Sequence, residues 1–223
     1  MRVLLVADHE ESSLWDYYRA SKTEGVDLIL SCGDLDPEYL EFLVTMINRP
    51  LIYVRGNHDD RYETKEPLGC DCIEDTIYNF HGLRILGLGG SYKYGNRNNM
   101  YTEAAMEKRI RKLKWKLKLM NGFDVLLTHA PAYGYGDLDD LPHRGFECFN
   151  DLINEYHPAY MFHGHVHREY GAFQRERIHS AGTKIINGYG SYMVDIKENE
   201  YPAFGMTGSA VYDWLIQKKL IRR

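Results

Sequence analysis

Asp8, Asp34, Asn57, His58, Asp59, His129, His165 and His167 are the residues of this 223-residue chain whose types and order could do chemistry. They fall in five short polar clusters: Asp8-His9-Glu10, Gly33-Asp34, Gly56-Asn57-His58-Asp59, His129, and Gly164-His165-Val166-His167. Carboxylate, amide and imidazole are the oxygen and nitrogen donors that divalent cations take. Each cluster alone has an ordinary structural explanation: a turn, a helix cap, or a histidine satisfied by a carbonyl. His165 and His167 resist that explanation, because alternate residues of an extended segment point the same way and Gly164 lets the backbone pass closely. Taken in order, the five clusters read as a cage for two metal ions.

What must position them is a set of strands ending at one edge. An apolar run precedes each cluster: residues 3–6, 28–30, 51–54, 125–127 and 160–162, all short and bounded by polar residues or glycine, as buried strands are. Open α/β sheets bind ligands outside the carboxyl ends of their strands. Between the strands, residues 12–20 and 37–48 are predicted helices, the second with Asp36 as N-cap, Pro37 in its first turn, and Leu40, Leu43, Val44 and Ile47 on one face. Residues 76–80 and 84–88 form a hairpin candidate joined by His81-Gly82.

The longest predicted helix, 102–120, runs from the cap signal Thr102-Glu103 to the stop Asn121-Gly122. Its apolar stripe is Ala105, Met106, Ile110, Leu113, Leu117 and Met120, which makes Lys108, Arg109, Arg111, Lys112, Lys114, Lys116 and Lys118 a wet face and not a nucleic-acid surface. A further helix is expected near 144–155, and residues 172–178, 183–187 and 191–196 look like a closing β meander. The expected domain covers 1–200. The tail, 201–223, carries a short helix that turns Val211, Trp214, Leu215 and Ile221 toward the domain or a second subunit of a homo-oligomer.

The five clusters resemble the calcineurin-like metallophosphoesterases, whose pattern is Asp-x-His, Gly-Asp, Gly-Asn-His-Asp or -Glu, a lone His, and Gly-His-x-His. The matching residues run from Asp8 to His167. The resemblance implies an α/β fold, a four-layer α/β/β/α sandwich of two mixed β-sheets flanked by helices. It implies that Asp8, Asp34 and His167 hold one metal, that Asp34, Asn57, His129 and His165 hold the other, and that His58 stands beside the substrate phosphate. One position departs from the pattern: Glu10 stands where the family has its second histidine, with His9 one residue early. Either side chain could reach the first metal. Glu10 is favoured, because keeping the register leaves Asp8 at the strand end.

With Asp8, Glu10 and Asp34 anionic, the first site suits Mn²⁺, Fe or Mg²⁺, and the second, richer in imidazole, suits Mn²⁺, Zn²⁺ or Fe; manganese is common to both. Two such ions about 4 Å apart share a water and lower its pKa from about 16 toward 7. The expected reaction is hydrolysis of a phosphomonoester or phosphodiester by a metal-bridging hydroxide. His58, oriented as an imidazolium by Asp59, would assist the leaving group. Ser91 and the cysteines have no recognisable base beside them, which disfavours a covalent route.

Two loops are candidate substrate walls: 91–101 with Asn96 and Arg97, and 132–144 with Tyr135, His143 and Arg144. Aromatics interleaved with Asn and Arg suit a phosphorylated small molecule or nucleotide-like substrate. A net charge of −5, with Asp137, Asp139 and Asp140 beside the pocket, disfavours long nucleic acid. Cys32, Cys70, Cys72 and Cys148 show no disulfide framework. The chain opens on a strand and has no apolar stretch long enough to span a bilayer, so a cytoplasmic protein is expected, with no membrane partner. The competing reading is a catalytically weak binding or scaffold protein that keeps the fold.

Overall fold

Strands apolar on both faces need cover on both faces, and the runs above obtain it. The computed structural model describes residues 1–171 and 173–218. The chain begins β1 (Arg2–Ala7), β2 (Leu28–Ser31), α1 (Pro37–Ile47), β3 (Leu51–Tyr53) and β4 (Cys70–Cys72). A hairpin of β5 (Thr76–Phe80) and β6 (Leu83–Leu88) follows, then the short parallel pair β7 (Ser91–Tyr92) and β8 (Met100–Tyr101). Next come α2 (Glu103–Met120), β9 (Val125–Thr128), α3 (Glu147–Tyr156) and β10 (Tyr160–His163). The last elements are β11 (Glu176–Ile178), β12 (Lys184–Asn187), β13 (Gly190–Asp195) and α4 (Ala210–Gln217).

These strands form two large mixed sheets, ordered β13-β1-β2-β3-β4 and β11-β12-β10-β9-β6-β5. Alternation along β1 shows how they stack: Val3 and Leu5 enter a core shared with Ile85, Leu127 and Phe162 of the second sheet, while Leu4 and Val6 pack with Tyr39, Leu40 and Leu43 of α1. On the far side, Leu126 and Met161 meet Met106, Leu113 and Leu117 of α2 and Phe149 and Ile153 of α3. The order is helix, sheet, sheet, helices, as the resemblance implied. β1, β2 and β3 are parallel to one another, as are β9 and β10, so the clusters that follow these five strands emerge at carboxyl ends.

Local signals act as expected where they are strong. Thr102 Oγ1 accepts the Ala105 N–H at 3.3 Å, and Asn121 ends α2 in the left-handed conformation at φ 56. His81 (φ 52) and Gly82 (φ 106) turn the β5–β6 hairpin.

Four expectations are corrected. Residues 12–20 form turns, not a helix, with a 3-10 turn at Ala20–Lys22. Serine, aspartate and aromatics are weak helix formers, and Trp15 is instead held edge-on by Tyr39 and Phe42. The closing strands do not make one meander: β11 and β12 pair in the second sheet, whereas β13 crosses to pair antiparallel with β1 in the first. Ala172 lies outside the described residues. Arg109 is not on the wet face of α2; it is buried, bonded to Glu74, Asp75 at 2.8 Å and the Gly89 carbonyl at 2.7 Å, beneath the Tyr101 ring. In α4, capped by Ser209, it is Tyr212 and Ile216 that pack with Met120, while Val211 and Trp214 are 61% and 52% exposed and Leu215 is half-buried. Ile221 lies outside the described residues.

Candidate metal centre

Asp34 follows β2 with φ 56 and directs its carboxylate across the gap between the two sheets. Its Oδ1 accepts the His58 backbone N–H at 2.7 Å, and its Oδ2 stands 3.3 Å from His129 Nε2. A Cβ on Gly56 would come within 2.0 Å of Asp34 Oδ1, and one on Gly164 within 2.4 Å of Asp8 Oδ2. Those two glycines are therefore required by the carboxylates that pass them.

His129, fully buried after β9, donates from Nδ1 to the Cys32 carbonyl at 2.9 Å. That bond commits Nδ1–H and leaves Nε2 facing Asn57 Oδ1 at 2.9 Å and the Asp34 carboxylate. His165 (φ 68) gives Nε2 to the Pro142 carbonyl at 2.7 Å, leaving Nδ1 with its lone pair. One donor atom each from Asp34, His129 and His165 lie within 4.8 Å of one another. Burial would raise the Asp34 pKa, but His129 and the His58 N–H outweigh it and hold the carboxyl at about 2. Burial would lower that of His129, yet Asp34 pushes it up to about 10; burial and His129 push His165 down to about 3. A carboxylate, an amide oxygen and two imidazoles with preset tautomers form a donor set that fits a divalent cation.

The other side of the centre is looser. Asp8 (φ 61) takes the His165 backbone N–H on both oxygens, at 3.0 and 2.9 Å, and stands 3.7 Å from His167 Nε2. The His167 ring stacks on Tyr170 at 4.7 Å and lies 5.0 Å from Tyr189. Glu10 turns its carboxylate to the Asp36 N–H at 3.3 Å, and burial raises its pKa. His9 stacks on Tyr189 at 5.8 Å. Neither Glu10 nor His9 joins the cluster around Asp34.

Asp59 departs from its expected role. Its carboxylate turns inward and accepts Gly56 N–H at 2.6 Å and Asp34 N–H at 2.8 Å, so it clips two loops together and does not orient the His58 ring. Burial and the neighbouring Asp34 charge push its pKa up to about 7. His58 is exposed, and Arg97 approaches its Nδ1. A cleft of about 170 Å³ opens there, lined by Asp34, Leu35, Asp36, Pro37, His58, Asp59, Arg61 and Tyr62.

Of the wall residues, Arg97 reaches the centre, Asn96 is exposed beside it, and His143 lies 5.3 Å ring to ring from His165. Tyr135 and Arg144 do not reach it. The Tyr135 hydroxyl accepts Ser180 N–H in the turn joining β11 to β12; because β12 runs parallel to β10, that turn lies at the opposite end of the sheet. Arg144 spans the Tyr92 and Tyr133 rings and bonds Glu147 at 3.2 Å. Sequence reasoning missed Tyr170 and Tyr189, which flank His167, and Tyr94, whose hydroxyl accepts Asn57 Nδ2–H at 3.0 Å. Only Tyr94 had a signal, as an aromatic of the 91–101 wall.

The family model for calcineurin-like phosphoesterases matches residues 1–169. UPF0046 protein T07D4.2 of Caenorhabditis elegans is 33% identical over 103 residues, 44% of this chain and 24% of that protein. Metallophosphoesterase domain-containing protein 1 of Homo sapiens is 28% identical over 142 residues, 59% of this chain and 41% of that protein. The chain thus spans between 24% and 58% of the length of these curated relatives and a second from Caenorhabditis elegans. The crystal structure of TT1561 of Thermus thermophilus superposes with a TM-score of 0.60 at 18% identity, covering 85% of this chain and 89% of that one, a likeness of fold.

Proposed function

The chain belongs to the calcineurin-like phosphoesterase family, and from that premise we propose that it hydrolyses a phosphomonoester or phosphodiester with two divalent ions, manganese foremost. The observation that carries this reading is the convergence of Asp34, His129 and His165 within 4.8 Å, with Asn57 Oδ1 beside them. Asp34, Asn57, His129 and His165 would hold one ion, and Asp8, Asp34 and His167 the other. When bound, such ions lower the pKa of a shared water toward 7 and neutralise phosphoryl charge.

The chain's own residues do the rest. His58 stands exposed at the cleft, and Arg97 donates to its Nδ1. A guanidinium carries no acceptor, so a neutral His58 beside it carries its hydrogen on Nε2, from which it can hydrogen-bond the leaving oxygen; only the imidazolium form can hand over a proton. Arg97 and Asn96 offer donors to the phosphoryl oxygens, and His143 closes the side next to His165. Asp59 holds Asp34 and Gly56 in place through their N–H groups.

The substrate we favour is a phosphorylated small molecule or nucleotide. Four free cysteines fit the cytoplasm, and among the described residues no helix is long and apolar enough to cross a membrane. One observation favours a second reading, a binding protein without turnover: Glu10 bonds Asp36 N–H. Protein reconstituted with Mn²⁺ and assayed on bis-p-nitrophenyl phosphate and p-nitrophenyl phosphate, with metal counted per chain, separates the two. Turnover of either ester with two ions per chain supports the hydrolase; metal uptake with neither ester cleaved supports the binding protein.

A further inference from the structure

An asparagine can offer a cation only its Oδ1, while its Nδ2 end has nearly the same shape and the opposite polarity. Something must decide which end of Asn57 faces the centre. Asn57 is fully buried, so a flipped amide would aim N–H donors at His129 Nε2 and at any cation beside it. A proton on His129 Nε2 would select Oδ1, because Nε2 then donates to it at 2.9 Å. That selection ends once a cation takes the Nε2 lone pair, since Nδ1–H is already given to the Cys32 carbonyl. The other end of the amide must then keep the orientation.

We propose that Tyr94 is the positioning residue for Asn57: its hydroxyl takes Nδ2–H at 3.0 Å and so holds Oδ1 toward the cation. The inference rests on the metal reading above and adds a residue outside the ligand set. Tyr94 is suited to the task because the segment carrying it is anchored. β7 and β8 pair at its base, Arg97 contacts His58, and Asn98 Nδ2 donates to Glu63 at 2.8 Å. Tyr94, Arg97 and Asn98 thus meet residues 57, 58 and 63 along one seam. A phenol hydroxyl can accept as well as donate, so it can take the amide N–H. Outer partners that orient metal ligands typically control about 10–100-fold of metal affinity.

The test is Mn²⁺ titration by calorimetry of chelator-stripped full-length protein, comparing wild type, Tyr94→Phe, Asn57→Asp and the double variant. Tyr94→Phe removes only the hydroxyl. It is expected to weaken Mn²⁺ binding about tenfold or more, with the melting temperature of the stripped protein unchanged. In the Asn57→Asp background both ends of residue 57 are oxygens and orientation no longer matters, so the same change is expected to cost much less. Unchanged Mn²⁺ affinity in Tyr94→Phe, or an equal loss in both backgrounds, overturns the inference. Wild-type protein that takes up no Mn²⁺ overturns the metal reading itself, and this inference with it.

Discussion

Around Asp34 the donor atoms already converge, and hydrogen bonds to Cys32, Pro142 and Tyr94 have decided which atom of each ligand faces inward. Around Asp8 they have not: Asp8 and His167 stand 3.7 Å apart, the His167 ring is held by two tyrosines, and the carboxylate expected as a third ligand is engaged at Asp36. The difference separates a site that binds by preorganisation from one that must rearrange to bind. The ion beside Asn57, His129 and His165 should therefore be tighter than the one beside Asp8 and His167, with Asp34 the residue both depend on.

Asp34→Asn gives the largest expected effect. It removes the charge facing both ions, so metal content should fall at both sites and ester hydrolysis should drop below detection, while far-ultraviolet circular dichroism keeps the native shape. An active Asp34→Asn would end the two-ion account. His58→Ala should lower turnover by about two to four orders of magnitude with metal retained; loss of metal would make His58 a ligand.

His167→Ala tests the looser side alone. Atomic-emission analysis should find one ion missing per chain and the other in place, and loss of both would show that the two sides are not independent. The smallest effect is expected for Glu10→Ala. Removing a carboxylate that accepts one backbone N–H should cost about 1 kcal/mol in denaturant unfolding and leave metal content unchanged. Should an ion be lost instead, Glu10 swings from Asp36 to the first metal and the contrast between the two sides is weaker than the geometry suggests.

The positions of the candidate ligands could be read because two simple signals coincided. A buried parallel strand is apolar on both faces, so the first polar donors after it mark its carboxyl end, and five such ends define an edge. Helix α2 was equally legible from Thr102, Asn121 and the stripe between them. The roles of Asp59, Arg109 and Tyr94 were not, because each is set by a partner distant in sequence. Asp59 serves Asp34, Arg109 serves Glu74, Asp75 and Gly89, and Tyr94 serves Asn57. Periodicity put Arg109 on a polar face and could not register the acidic pair that β5 and its preceding turn bring to it. The same blindness divided the final strands wrongly. Nothing local in Gly188-Tyr189-Gly190 tells that β13 will leave one sheet for β1 of the other.

Among the described residues, eight that are not glycine have a left-handed backbone. Asn48, Asn121 and His157 end helices, and Asp75 and His81 make turns, all places where the conformation serves folding. The other three are Asp8, Asp34 and His165. Such a conformation typically costs a non-glycine residue about 1–2 kcal/mol, and glycine would hold each of these three corners without it. The molecule therefore keeps three small sources of strain at the centre, partly offset by the N–H groups of His165 and His58 that Asp8 and Asp34 accept. Asp8→Gly and His165→Gly each relieve that strain but give up a bond, to the His165 N–H and to the Pro142 carbonyl, so the melting temperature of the ion-free protein should change little. If the centre acts as proposed, the same changes should cost ion binding and turnover while leaving the heat tolerance of the stripped protein nearly unchanged, so strain kept at these corners marks them as in use.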